Sequence, residues 1–108
     1  MAYDIHHLKK SLEVETGYAF EIIIALGTPS LKLLTNSNRY EIYIELNKNN
    51  KTINPYLSFV IHDQLKNEIK RNNEIFNIGK ILRHLNNSIN SLKLNCIPVK
   101  DEYIQLNF

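Results

Sequence analysis

Across Arg39-Tyr40-Glu41-Ile42-Tyr43-Ile44-Glu45-Leu46, apolar and polar residues alternate strictly. In an extended chain this puts Tyr40, Ile42, Ile44 and Leu46 on one side and Arg39, Glu41, Tyr43 and Glu45 on the other. The pattern predicts a half-buried strand over 39–46, which needs other elements to cover its apolar side. The polar side sets a tyrosine between two glutamates, a surface that suits a protein partner and that an ordinary solvated strand face also shows.

The remaining segments supply partners for this strand. Asp4 can cap a first helix over 4–14, in which Ile5, Leu8 and Leu12 recur on one side and Thr16-Gly17 ends the turn. Tyr18 to Leu26 holds a β-branched run, Ile22-Ile23-Ile24, that is apolar on both faces. It predicts a central strand covered on both sides, with a helix as the competing reading. Gly27-Thr28-Pro29-Ser30 is expected to break the chain, Leu31 to Leu34 to form a short strand or a turn of helix, and Asn36-Ser37-Asn38 to turn into the strand at 39.

The stretch Asn47 to Thr52 reads as a polar, basic loop, followed by Asn54-Pro55 as a helix start. Leu57, Ile61, Leu65 and Ile69 recur every four residues, which predicts a helix to about Arg71. The competing reading pairs Ser58 to His62 with 39–46 as a hairpin and starts the helix at Asp63. Glu74 suits the first turn of a further helix, whose apolar stripe is Ile75, Ile78, Leu82, Leu85, Ile89 and Leu92. That stripe is too short for a coiled coil and reads as core-facing. Pro98 forces an extended turn, and Ile104, Leu106 and Phe108 alternate as a terminal strand. The expected fold is α+β: one domain over 1–108, with a mostly antiparallel sheet of three to five strands packed on two or three helices.

Composition narrows the chemistry. The 44% hydrophobic and 22% charged content is that of an ordinary globular protein. No apolar run approaches the roughly 20 residues of a membrane span, and the polar Met1 to His7 does not resemble a secretory signal, so a cytoplasmic site is expected. Cys96 is the single cysteine, so it has no disulfide or zinc partner of its own kind and reads as a small apolar residue. Gly17, Gly27 and Gly79 are isolated, leaving no phosphate-binding loop, and no cofactor or metal is expected. The adjacent His6 and His7 point about 100° apart on a helix, while His62 and His84 belong to other elements.

Charge is distributed unevenly. Residues 1–46 carry four basic and six acidic groups, 47–100 nine and three, and the last eight residues two acidic groups. Two surfaces follow. An acidic one, Glu13, Glu15, Glu41, Tyr43 and Glu45, suits a basic protein. A basic one, Lys66, Lys70, Arg71, Lys80 and Arg83, suits phosphate, although no helix-turn-helix spacing or paired aromatic platform accompanies it. Fifteen Asn and fifteen Ile against three Ala and three Gly indicate A+T-rich coding, as in bacterial, phage or mobile-element genes. The leading expectation is a non-enzymatic protein-binding module, more narrowly an immunity protein that neutralises a cognate nuclease-type toxin by covering its basic active site. A nucleic-acid-binding protein is the alternative, and a small histidine-dependent nuclease the third reading.

Overall fold

The computed structural model describes residues 4–25, 28–47, 56–75 and 77–100. Asp4 caps helix α1, Ile5–Thr16, its carboxylate accepting the His6 N–H at 2.8 Å. The helix ends at Gly17, whose φ of 74° is left-handed and whose N–H donates to the Glu13 carbonyl. Five strands follow, β1 Phe20–Ala25, β2 Thr28–Leu33, β3 Tyr40–Asn47, β4 Tyr56–Asp63 and β5 Glu68–Ile75, and then helix α2, Ile78–Leu92. The sheet is an antiparallel meander in the order β1-β2-β3-β4-β5. This is the α+β domain expected, and no described helix is long and apolar enough to cross a membrane.

Strand alternation gives the sheet two unlike faces. One carries Phe20, Leu31, Leu33, Ile42, Ile44, Leu46, Leu57 and Phe59, all buried. Leu8 and Leu12 of α1 and Ile81 and Leu85 of α2 join them in one cluster, so both helices form a layer on this side. The strand over 39–46 thus becomes β3, third of five, with Ile42, Ile44 and Leu46 inward and Tyr40 half-buried at the cluster's margin. Segment 95–99 closes the domain against the α1–β1 link: the Ala19 N–H donates to the Ile97 carbonyl at 2.8 Å and the Ile97 N–H to the Leu34 carbonyl at 2.9 Å. Pro98 lies there in an isolated bridge with Tyr18.

Four expectations are corrected. The helix predicted from 55 to 71, and the shorter one from Asp63, are instead β4, a turn over 64–67 and β5. A four-residue spacing is also a multiple of the strand period, so it cannot separate the two states. Pairing of Phe59 with Ile44 and Ile61 with Ile42 decided between them. The turn is held by Asp63, whose carboxylate accepts the Leu65 and Lys66 N–H groups at 3.2 and 3.3 Å, and by Asn67 at φ 53°. Second, among the described residues β1 is an edge strand and not a central one: Ile24 is 74% exposed.

Third, the break expected over 27–30 is largely strand, since β2 begins at Thr28. Pro29 is tolerated because the β2–β3 pairing stops at Ser30 opposite Glu45, one residue before a ladder N–H would be missed. Fourth, Glu74 and Ile75 finish β5, and α2 starts only after Asn77. Its stripe is otherwise as expected, with Ile81 added at its buried centre. The expected basic loop beyond Asn47, the Asn54-Pro55 helix start and the terminal strand over 104–108 lie outside the described residues.

Candidate binding face of the sheet

The face turned away from the helices presents Lys32 of β2, Glu41, Tyr43, Glu45 and Asn47 of β3, His62 of β4, and Ile69, Arg71 and Asn73 of β5, with Ser58 and Val60 of β4 buried beneath these side chains at 0% and 4% exposed. Register sets the neighbours: Lys32 lies opposite Tyr43, Glu41 opposite His62 and Glu45 opposite Ser58. Long side chains then reach diagonally. The Glu41 carboxylate holds Lys32 Nζ at 3.1 Å on one oxygen and His62 Nδ1 at 3.1 Å on the other. Glu45 pairs with Arg71. Asn47 donates to the Ser58 hydroxyl at 2.8 Å, and that hydroxyl donates to Asn73 Oδ1 at 2.8 Å. Tyr43 stands half-buried among these pairs, hydrogen-bonded to Glu41.

Glu41, Tyr43 and Glu45 therefore share one surface, but it is not a bare acidic one, because each glutamate already faces a cation. The other two residues of the acidic set are elsewhere. Glu13 is 7% exposed, accepts the Phe20 N–H at 3.0 Å and pairs with Lys9 at 3.1 Å, so it serves the α1–β1 junction. Glu15 is exposed on α1. Lys32, His62 and Arg71 were missed as members of the face. The hairpin reading of 58–62 against 39–46 contained the signal for His62, since it places that residue next to β3.

The basic set does not form a single patch. Lys66 and Lys70 line a cleft of ≈ 260 Å³ on the helix side of the sheet, with Arg39, Tyr40, Asp63 and Ser91 among its walls. Arg71, one residue along a strand, points to the other face and is held by Glu45. Lys80 and Arg83 lie on the exposed side of α2 near its start, roughly 12–18 Å of helix rise from the Ser91 end. In the cleft, Arg39 grips Asp63 through two bonds of 3.0 Å and lies 4.9 Å over the Tyr40 ring. The Arg39 hydrogen bond holds the Asp63 carboxyl below its ordinary value of 3.8.

The histidines are dispersed: His6 and His7 are exposed on α1, His62 is tied to Glu41, and His84 stacks on Phe59. Among the described residues no three His, Cys, Asp or Glu side chains are grouped to hold a metal ion. Cys96 is half-buried, and burial raises its thiol pKa.

The ion pairs on the open face have a pH signature. Burial pushes the Tyr43 hydroxyl up, and the hydrogen bond and charge of Glu41 push it further, to about 12 from 10.0. With the folded value above the unfolded one, this stability is complete below the unfolded value and disappears as pH rises to the folded one. Burial also raises the Glu41 carboxyl, but the hydrogen bonds from Lys32, His62 and Tyr43 outweigh it and leave the group below 4.5. Its contribution is present above that ordinary value and is lost as pH falls through the lowered folded one. Denaturation midpoints measured against pH should therefore decline at both ends, and Tyr43→Phe should flatten the alkaline limb and also soften the acid one, because it removes one of the hydrogen bonds that lower the Glu41 carboxyl.

Comparison with protein-family models, with curated proteins and with solved structures returned no match.

Proposed function

We propose that this chain is a small protein-binding module whose contact surface is the open face of the sheet centred on Tyr43. More narrowly, it is an inhibitor of the immunity type that neutralises a nuclease-type toxin by covering the toxin's basic active site. The observation that carries the module reading is the fixed setting of Tyr43 between Glu41 and Glu45, each held by its own cation. A tyrosine on a strand offers rigid amphipathic contact area, and side chains already locked by their neighbours lose little freedom on docking.

Both oxygens of Glu41 are taken by Lys32 and His62, so Glu45 supplies the attraction for a cationic group of a partner, through Oε2 on the side not engaged by Arg71. The immunity reading adds chain size and the A+T-rich, Asn- and Ile-laden composition. The spread of Lys66 and Lys70, Arg71, and Lys80 and Arg83 over different surfaces gives a nucleic-acid duplex no single basic face to follow.

The test is affinity capture from the native host with the wild-type chain, followed by binding kinetics with the captured protein. Tyr43→Ala is expected to weaken binding about 30-fold, the equivalent of about 2 kcal/mol for a central aromatic anchor. The exchange Glu45→Arg with Arg71→Glu keeps the internal pair while moving the charges. It should slow association without unfolding the domain. Wild-type kinetics in both variants would overturn the site.

A further inference from the structure

β1 has the composition of an interior strand in an edge position. Its Ile22-Ile23-Ile24 run is apolar on both faces, yet no described strand lies beyond it, and Ile24 is 74% exposed. The other edge is guarded. β5 carries Glu68, Lys70 and Arg71 and pairs with β4 through a bulge near Leu57 and Phe59, the devices that keep sheet edges from recruiting further strands. β1 has only Glu21 in that role.

The direction of the backbone groups shows what the free edge offers. Residues two apart in a strand point their N–H and C=O groups to the same side. The Phe20 N–H goes to the Glu13 carboxylate and not to β2, whereas the carbonyl of Ala19 accepts from Leu34 at 3.0 Å. Even-numbered residues of β1 therefore present their backbone outward. Glu13 closes the edge at Phe20, leaving Ile22 and Ile24 as its outward-facing ladder positions.

We infer that a second copy of this chain docks on the free edge, β1 against β1 in antiparallel register about a twofold axis at Ile23. In that register Ile22 exchanges both backbone hydrogen bonds with Ile24 of the second copy and Ile24 with Ile22, so every outward group of the two residues is used. Ile23 faces its own counterpart as a non-hydrogen-bonded pair on the open face. Glu21 falls opposite Ala25, so no like charges are opposed. The two five-stranded sheets become one of ten strands whose outer edges are both the guarded β5. Growth closes at the dimer, as an isologous contact requires. A six-residue strand is about 20 Å long, so the contact lies at the small end of specific interfaces, with an expected dissociation constant on the order of 10–100 µM. The inference is independent of the partner proposed for the open face.

Sedimentation of the full chain over a range of concentrations tests it. The weight-average mass should rise towards the dimer, and Ile24→Lys, at an exposed position with no core to disturb, should weaken association about tenfold or more. The register is tested by oxidation in a Cys96→Ser background. Ile23→Cys should cross-link, because Cα atoms of a non-hydrogen-bonded pair lie about 4.5 Å apart, whereas Ile22→Cys should not, its counterpart lying beyond about 7 Å. A chain that stays monomeric at the highest concentration overturns the proposal, including the case in which the amides of Ile22 and Ile24 resist hydrogen exchange because another segment of the same chain covers them. A dimer unaffected by Ile24→Lys, or one that cross-links through position 22 in place of 23, overturns the β1 register.

Discussion

Phe59→Ala is expected to lower the unfolding free energy by about 3–5 kcal/mol, the range for emptying a fully buried aromatic site. Phe59 is 1% exposed in β4, pairs with Ile44 of β3 and stacks on His84 of α2 with ring centroids 5.3 Å apart and planes at 21°. It is thus one of the residues through which the sheet and α2 share a core. Natural domains of this kind are stable by only about 5–15 kcal/mol, so the variant should be close to half unfolded in mild denaturant. His84→Ala, which removes only the partner ring, should cost about 0.5–1.5 kcal/mol. Urea unfolding of both variants and of the double variant gives the coupling between them; strictly additive losses would mean that the stacking contributes nothing of its own.

The second large effect is expected at Glu13. Its carboxylate accepts the buried Phe20 N–H while Lys9 reaches it from one helical turn away. Glu13→Ala leaves that N–H without an acceptor, a loss of about 1–3 kcal/mol. Glu13→Gln keeps an acceptor oxygen and gives up only the pair with Lys9, whose side chain is 28% exposed. An ion pair of that kind contributes about 0–1 kcal/mol. Denaturation midpoints should therefore place Gln near the wild type and Ala well below it. Equal losses would assign the effect to the ion pair and not to the capped backbone.

Glu13 also shows why the candidate site was only partly legible. From the sequence it belonged with Glu15, Glu41 and Glu45 as an acidic surface, because charge is readable and burial is not. In the fold it is 7% exposed and caps a strand. Glu41, Tyr43 and Glu45 were placed on one face correctly, since alternation within a single strand is a local property. Their neutralisation by Lys32, His62 and Arg71 depends on β2, β4 and β5 lying in a particular register beside β3. β4 and the start of β5 were expected to be helix, and the start of β2 a chain break.

Local chemistry determined α1 with its Asp4 cap and Gly17 stop, β3 with its inward and outward sides, and the apolar stripe of α2, because capping geometry and side-chain period act within a few residues. The tertiary structure alone decided that 57–61 extends as a strand, that the charged 68–75 segment forms an edge, and that the Ile22-Ile23-Ile24 strand lies at the other edge. An apolar spacing of four satisfies both helix and strand, and an apolar run does not encode how many neighbours it will have. Those choices were made by cross-strand pairing with β3 and by which residues the two helices could bury, contacts between positions far apart in the chain.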